Sequence, residues 1–335
     1  MGYKEWTAYI LLGVIISFVI TKTMTAWLIP KLKSIKLGQK ILDIGPRWHK
    51  NKEGTPTMGG LAFLVAFSIV FTLLAVFAVV RGDINRSFHS VARLFFSIAM
   101  ILLSGAIGVL DDYTKFFKKQ NQGLKALPKF LMQSVVAIAY TFGIAWVRGF
   151  STAMYIPFYG REVDLGVAWY IISFLLINGV VNSVNLTDGI DGLASSVTFF
   201  VSCFFVLAGV VMSALDVTLL GSVIIGITLG FLVYNFHPAR IFMGDTGSLF
   251  LGGAVVAMAY MLDNPLLSLI VGIVYVAEAA SVIIQVGVYK LTKKRVFKMA
   301  PIHHHFEKCK WGEIKIVCVF SLVTVIFAVV AYFAL

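Results

Sequence analysis

The chain carries about ten stretches of roughly 20 predominantly apolar residues, near 7–29, 58–80, 91–110, 128–147, 168–184, 192–214, 217–235, 247–262, 266–289 and 313–335. Stretches of that length match the hydrocarbon thickness of a bilayer, where each backbone N–H and C=O must be paired within the structure. Only helical bundles and closed barrels meet that demand. A barrel would show alternating segments of about ten residues, not continuous runs such as Leu61 to Val80. The expected fold is therefore an all-α integral membrane protein, a polytopic bundle of about ten transmembrane helices in one domain spanning 1–335.

Composition agrees. Of the 335 residues, 59% are hydrophobic and 13% charged, against about 45–50% and about 25% in a soluble domain. The mean hydropathy of +0.91 would leave a soluble surface with large apolar patches. Cys203, Cys309 and Cys318 are widely spaced and form neither a disulfide framework nor a thiolate metal site. The first apolar stretch ends in a basic loop without a small-residue cleavage site, so it reads as a retained helix, not a signal peptide.

Charge sets the orientation. Loop one holds Lys31, Lys33, Lys36, Lys40, Arg47, Lys50 and Lys52, loop three holds Lys115, Lys118, Lys119, Lys125 and Lys129, and loop nine is equally basic. Even-numbered loops hold only Arg81, Arg86, Arg148 and Arg161. The positive-inside rule then places the odd loops in the cytoplasm and both termini outside. The net charge of +12 is a cytoplasmic face attracted to anionic membrane lipid. No interleaved aromatic platform accompanies it, which argues against nucleic acid. Loop four alternates through Met154-Tyr155-Ile156-Pro157-Phe158 and predicts a small external β-hairpin.

Only 16 residues are acidic, and the informative ones gather on the basic side: Asp111 and Asp112, Asp188 and Asp191, and Asp245. Adjacent carboxylates at the end of the third helix face its negative dipole end and need a cation, supplied by Lys115 and Lys118 or by a metal. Oxygen-only ligands suit Mg²⁺ and are compatible with Mn²⁺. Loop five runs Asn185-Leu186-Thr187-Asp188-Gly189-Ile190-Asp191-Gly192. Its aspartates, three apart, share one side if helical. Asn178 and Asn182 suit interhelical hydrogen bonds, and Asn185 is expected to face a ligand. In loop seven, Asp245 has the position of an N-cap for the eighth helix. The small residues after it would leave first-turn N–H groups open to an anion that a metal on Asp245 shares. Neighbouring side chains in His303-His304-His305 diverge, which disfavours zinc and suits hydrogen bonds to a phosphate-rich ligand. Glu278 and Gln285, seven apart, share a face of the ninth helix and are expected to line a cavity, with packing against another helix as the alternative.

Five segments together resemble the phospho-N-acetylmuramoyl-pentapeptide transferases: Lys52-Glu53-Gly54-Thr55-Pro56-Thr57-Met58-Gly59-Gly60, Asp111-Asp112-Tyr113-Thr114-Lys115, the Asn185–Gly192 run, Phe242-Met243-Gly244-Asp245-Thr246-Gly247-Ser248, and Pro301-Ile302-His303-His304-His305-Phe306-Glu307. The aspartate motifs are shared with the wider polyprenyl-phosphate N-acetylhexosamine-1-phosphate transferase superfamily. The resemblance implies transfer of phospho-MurNAc-pentapeptide from UDP-MurNAc-pentapeptide to undecaprenyl phosphate, with Mg²⁺ and release of UMP, at a bacterial cytoplasmic membrane with the active site facing the cytoplasm. It is compatible with a homodimer.

Carried over by motif, Asp245 is the implied metal ligand, and Asp111 with Asp112 orients or deprotonates the lipid phosphate, with Lys52 and Lys115 neutralising charge. Asn185, Asp188, Asp191, Asn235 and Phe242 are implied nucleotide-sugar contacts, Phe242 as a stacking partner for uracil. Thr57, Gln285, His303, His304 and His305 are implied to bound the same cavity. A direct attack and a covalent two-step route both remain open. One alternative keeps the fold and transfers GlcNAc-1-phosphate from UDP-GlcNAc. Another is a transporter of a phosphorylated solute, whose usual inverted repeats and midplane polar sites are not evident.

Overall fold

The computed structural model describes residues 3–34, 52, 54–85, 87–117 and 123–335. Lys36, Lys40, Arg47, Lys50, Glu53, Arg86, Lys118 and Lys119 lie outside the described residues. In chain order the elements are α1 (Tyr3–Ser34), α2 (Leu61–Arg81), α3 (Phe88–Phe117), α4 (Ala126–Val147), β1 (Ala153–Ile156), β2 (Arg161–Asp164), α5 (Val167–Thr187), α6 (Leu193–Val211), α7 (Leu215–Asn235), α8 (Gly244–Met261), α9 (Leu267–Val271), α10 (Ile273–Thr292), α11 (Ile302–Lys308) and α12 (Glu313–Tyr332).

Among the described residues, nine helices are long and apolar enough to cross a membrane. The remaining expected span, 247–262, is α8. Its polar first turn dilutes its hydropathy, but its 18 residues extend about 27 Å at ~1.5 Å per residue. The expected span 266–289 is divided in two: α9 stops at Val271, and α10 begins after Gly272. The chain is thus an all-α, multi-pass membrane protein. The expected hairpin is present, with β1 antiparallel to β2 and Ala153 opposite Asp164.

The bundle sorts residues by solvent in the sense a bilayer requires. Large apolar side chains such as Leu73, Val80, Val135, Val167 and Leu291 point outward, while Ser17, Thr198, Ser222 and Thr228 are fully buried. Those hydroxyls return their protons to the carbonyl four residues back, and Ser17 also reaches the Val223 carbonyl of α7 at 3.0 Å. Asn182 on α5 donates to Gln133 on α4 at 3.1 Å, the interhelical bond expected of it. Asn178 instead donates within its own helix, to Phe174. Interhelical bonds contribute ~0.6 kcal/mol each on average in bilayers. Close packing therefore carries the fold. The helix α8 is its centre, with each residue from Thr246 to Met261 buried, packed chiefly on α3 and α5.

The odd and even loops gather at opposite ends. At the even end Arg81 pairs with Glu5, Arg93 with Asp216, and Arg148 with Asp263. Glu5 near the start of α1 belongs to this end. So does Leu335, whose carbonyl lies 3.5 Å from the Tyr155 hydroxyl of the hairpin.

Candidate active site

The third helix does not stop where hydropathy fades. It continues to Phe117, so Asp111 and Asp112 sit inside α3, more than a turn before its end, and not in a loop. Helical spacing returns Lys115 to both: its ammonium lies 2.7 Å from Asp111 and 3.2 Å from Asp112. The same Lys115 lies 3.2 Å from Asp245 at the start of α8, and Lys129 of α4 lies 2.6 Å from the same Asp245 oxygen. Asp111 and Asp245 are in hydrogen-bonding contact, and one ligand oxygen from each of Asp111, Asp112 and Asp245 falls within 4.8 Å of the others.

Within this trio the roles divide. Asp112 accepts the backbone N–H groups of Asp245 at 3.2 Å and Thr246 at 2.9 Å, and the Thr246 hydroxyl at 2.7 Å. It is the cap of α8, delivered from another helix, and its charge meets the positive end of the α8 dipole. This corrects two sequence expectations. Asp245 is not the N-cap, because it is the second residue of α8 and the residue before the helix, Met243, makes no side-chain cap. Nor are the first-turn N–H groups open to an anion, because Asp112 occupies them. Gly244 makes this fit: its φ is +69°, and a Cβ there would lie 2.5 Å from the Asp112 carboxylate and 2.9 Å from the Thr57 hydroxyl. Thr57 therefore stands beside the cap. Loop one is laced to loop seven on either side of it, with Phe242 N–H donating to Pro56 and Gly59 N–H to Phe242.

Asn185 does not point away from the cluster. Its amide donates to Asp245 at 3.1 Å and to Ser248 at 2.7 Å, fixing the Asp245 carboxylate. Asp188 is half-buried, has no side-chain hydrogen bond among the described residues, and lies in the field of Asp245 and Asp112. Burial, reinforced by those charges, pushes its pKa up to about 8. The folded chain then keeps a proton that the unfolded chain releases above about pH 4. Folding stability from this group falls as pH climbs from about 4 to about 8. The melting temperature of Asp188→Asn relative to the parent is thus expected to rise between about pH 6 and about pH 9. A difference that stays flat across that interval contradicts the assignment.

The remaining expected residues form separate groups. Asp191, nearly fully buried, accepts from Lys52 at 2.7 Å and from the Ala239 N–H at 2.9 Å, with His237 Nδ1 at 3.0 Å. Lys52 is shared with Glu313 of α12. The five aspartates thus do not meet in one cluster: Asp191 belongs to a neighbouring one. Asn235 is buried: its amide N–H closes loop seven on the Ile241 carbonyl at 3.0 Å, and its side-chain oxygen has no hydrogen-bond partner among the described residues. Gln285 likewise pins loop nine by accepting from Val296 and Phe297 N–H. The three histidines take different hydrogen-bond partners, although the rings of His303 and His304 lie 4.1 Å apart. His303 is fully buried, its Nδ1 3.0 Å from the equally buried Glu278, while its Nε2 has no hydrogen-bond partner among the described residues. His304 pairs with Glu307, and His305 accepts from the Lys298 N–H at 3.1 Å. Phe242 remains half-exposed at the loop-seven bend.

Sequence reading missed Lys129, Glu313 and His237. The first was counted as a topology charge, and nothing local marks which partner any of them meets.

A family model described as Glycosyl transferase family 4 matches residues 94–263, the stretch holding Asp111, Asp112, Asn185, Asp188 and Asp245. A phospho-N-acetylmuramoyl-pentapeptide-transferase signature matches residues 52–64, which carry Lys52, Thr57 and the segment laced to loop seven. The chain is similar to the phospho-N-acetylmuramoyl-pentapeptide-transferase of Clostridium acetobutylicum, 44% identical over 333 residues, covering 97% of this chain and 99% of that one. It is 41% identical to the protein of that name from Caldicellulosiruptor bescii, covering 96% of each chain. The one from Carboxydothermus hydrogenoformans is also 41% identical, covering 96% of this chain and 98% of its own. Likeness that runs from end to end and includes the segments building the acidic cluster makes this chain a member of the phospho-N-acetylmuramoyl-pentapeptide-transferase family.

Proposed function

We propose that this multi-pass enzyme of peptidoglycan synthesis transfers phospho-MurNAc-pentapeptide from UDP-MurNAc-pentapeptide to undecaprenyl phosphate, on the cytoplasmic side of a bacterial inner membrane. In the net reaction a bond forms between a lipid phosphate oxygen and the sugar-linked phosphorus, the pyrophosphate bond breaks, and UMP leaves. The observation that carries the reading is the convergence of Asp111, Asp112 and Asp245 on Lys115 at the odd-loop end of the bundle.

Each side chain has a part. Asp112 is spent on α8, so Asp111 is the carboxylate left to orient the lipid phosphate or take its proton. A phosphate monoester has a second pKa near 6, within reach of such a base. Lys115 and Lys129 stand at the place where two anionic substrates must approach each other and offset their repulsion. Phe242 offers a half-exposed ring for the uracil, and Asp188 a carboxyl facing the same cluster.

Asp111, Asp112 and Asp245 face the ammonium groups of Lys115 and Lys129 with a net negative charge, and the donors are all oxygens, a set that suits a divalent cation. Asp245 would hold Mg²⁺. Such a cation, when bound, neutralises phosphate oxygens and aligns the reactants.

Purified full-length chain given undecaprenyl phosphate and UDP-MurNAc-pentapeptide is expected to release UMP and form the lipid-linked product. Chelation should abolish this and Mg²⁺ restore it. Exclusive use of UDP-GlcNAc would overturn the choice of sugar, and solute transport without UMP release the choice of an enzyme.

A further inference from the structure

Glu313 is the first residue of α12. The α12 dipole favours an acid in that turn, but a dipole does not aim a carboxylate at a lysine 261 positions away in loop one. The Glu313 oxygens lie 2.6 and 2.7 Å from the Lys52 ammonium, and one of them also accepts the Asp191 backbone N–H at 3.0 Å. His237 of loop seven lies 3.7 Å from the same oxygen. Glu313 keeps about a tenth of its side chain exposed and Lys52 16%, so the pair is only lightly screened. Four segments distant in sequence are thus tied at one carboxylate.

The tie bears on the acidic cluster through loop five. Asp191 and Asp188 stand three residues apart on one turn. Asp191 turns to Lys52 and His237, and Asp188 lies within electrostatic reach of Asp112 and Asp245. Whatever fixes Asp191 fixes the turn that carries Asp188. It also sets where Lys52 can present its charge.

We propose that Glu313 is a positioning residue for the transfer, holding the Lys52 ammonium and the Asp191 peptide so that loops one, five and seven keep one arrangement around the nucleotide-sugar. This rests on the transferase reading above. Glu313 touches no reacting atom. It acts through Lys52, and its loss weakens donor binding more than chemistry.

The test uses full-length detergent-solubilised protein. Glu313→Gln is expected to raise KM for UDP-MurNAc-pentapeptide by about 10- to 100-fold, the range for removing a supporting partner, with a smaller fall in kcat. Glu313→Asp should recover part of the loss. The double variant of Lys52→Ala and Glu313→Gln should be no worse than Lys52→Ala alone, because both changes remove one interaction. Independently of activity, acylation of Lys52 by an amine-reactive ester, read by mass spectrometry, should quicken severalfold in Glu313→Gln.

An unchanged KM, losses that multiply in the double variant, or a kcat that falls in step with melting temperature at constant KM would each overturn the proposal. So would unchanged Lys52 labelling. A parent chain inactive on UDP-MurNAc-pentapeptide would instead sink the transferase reading, and the labelling would still decide whether Glu313 holds Lys52.

Discussion

Asp111→Asn is expected to lower turnover by roughly 10²- to 10⁴-fold, the contribution of a general base, with a melting temperature near the parent's. Asp112→Ala is expected to lose turnover and melting temperature together. The two residues are adjacent, and a sequence cannot tell them apart. Their surroundings can. Asp111 accepts a single backbone N–H, from Leu124 at 3.0 Å, and an asparagine oxygen still accepts it. Its other partners, Lys115 and Asp245, belong to the acidic cluster and not to any helix cap. Asp112 accepts three hydrogen bonds from the first turn of α8. Removing it leaves buried N–H groups unpaired, each costing about 1–3 kcal/mol, at the helix that centres the bundle. Melting curves and UMP release on both purified variants check this. Parental turnover in Asp111→Asn removes it as the base, and a parental melting temperature in Asp112→Ala removes the cap.

The part legible in the sequence was the part governed by local or one-dimensional rules. Hydropathy found the spans because bilayer thickness sets their length, and the asymmetry of lysine grouped the odd loops because one membrane face collects them. Alternation found the hairpin. Aspartates among the odd-loop lysines pointed to an acidic cluster, and three of the five do converge. The remainder depends on which distant groups meet. Asp112 reaches Thr246 across 134 positions, and nothing near either residue announces a cap supplied by another helix. Lys129 resembles any topology charge until α4 is packed beside α8. Asn235 and Gln285 also pair the backbone of their own loops, a contact that neither residue type announces. Where the histidines of the run end up is a property of packing, not of the run: His303 is buried against Glu278, and its ring lies 4.1 Å from that of His304.

Gly108→Ala is the second substitution with a large expected effect, and it involves no ionisable group. A Cβ at Gly108 would overlap the carbonyl of Asp245 and crowd Thr246, so α3 and α8 touch there backbone to backbone. Backbone cannot rotate aside as a side chain does. The methyl must push the helices apart, a strain of about 1–3 kcal/mol by the measure of overpacked cores. The functional loss should exceed the loss of stability. Asp111 and Asp112 follow Gly108 by three and four residues, on the same helical face, so separating the helices withdraws both from the start of α8. A displacement near 1 Å at a reacting group lowers rate by about 10²-fold. The cap on Thr246 lengthens in the same movement. Gly287→Ala is the matched control, because that helical glycine has nothing within 4 Å of its Cβ position, and it should melt and turn over like the parent. A Gly108→Ala enzyme with parental turnover would mean that the contact between α3 and α8 is not what brings the three carboxylates together.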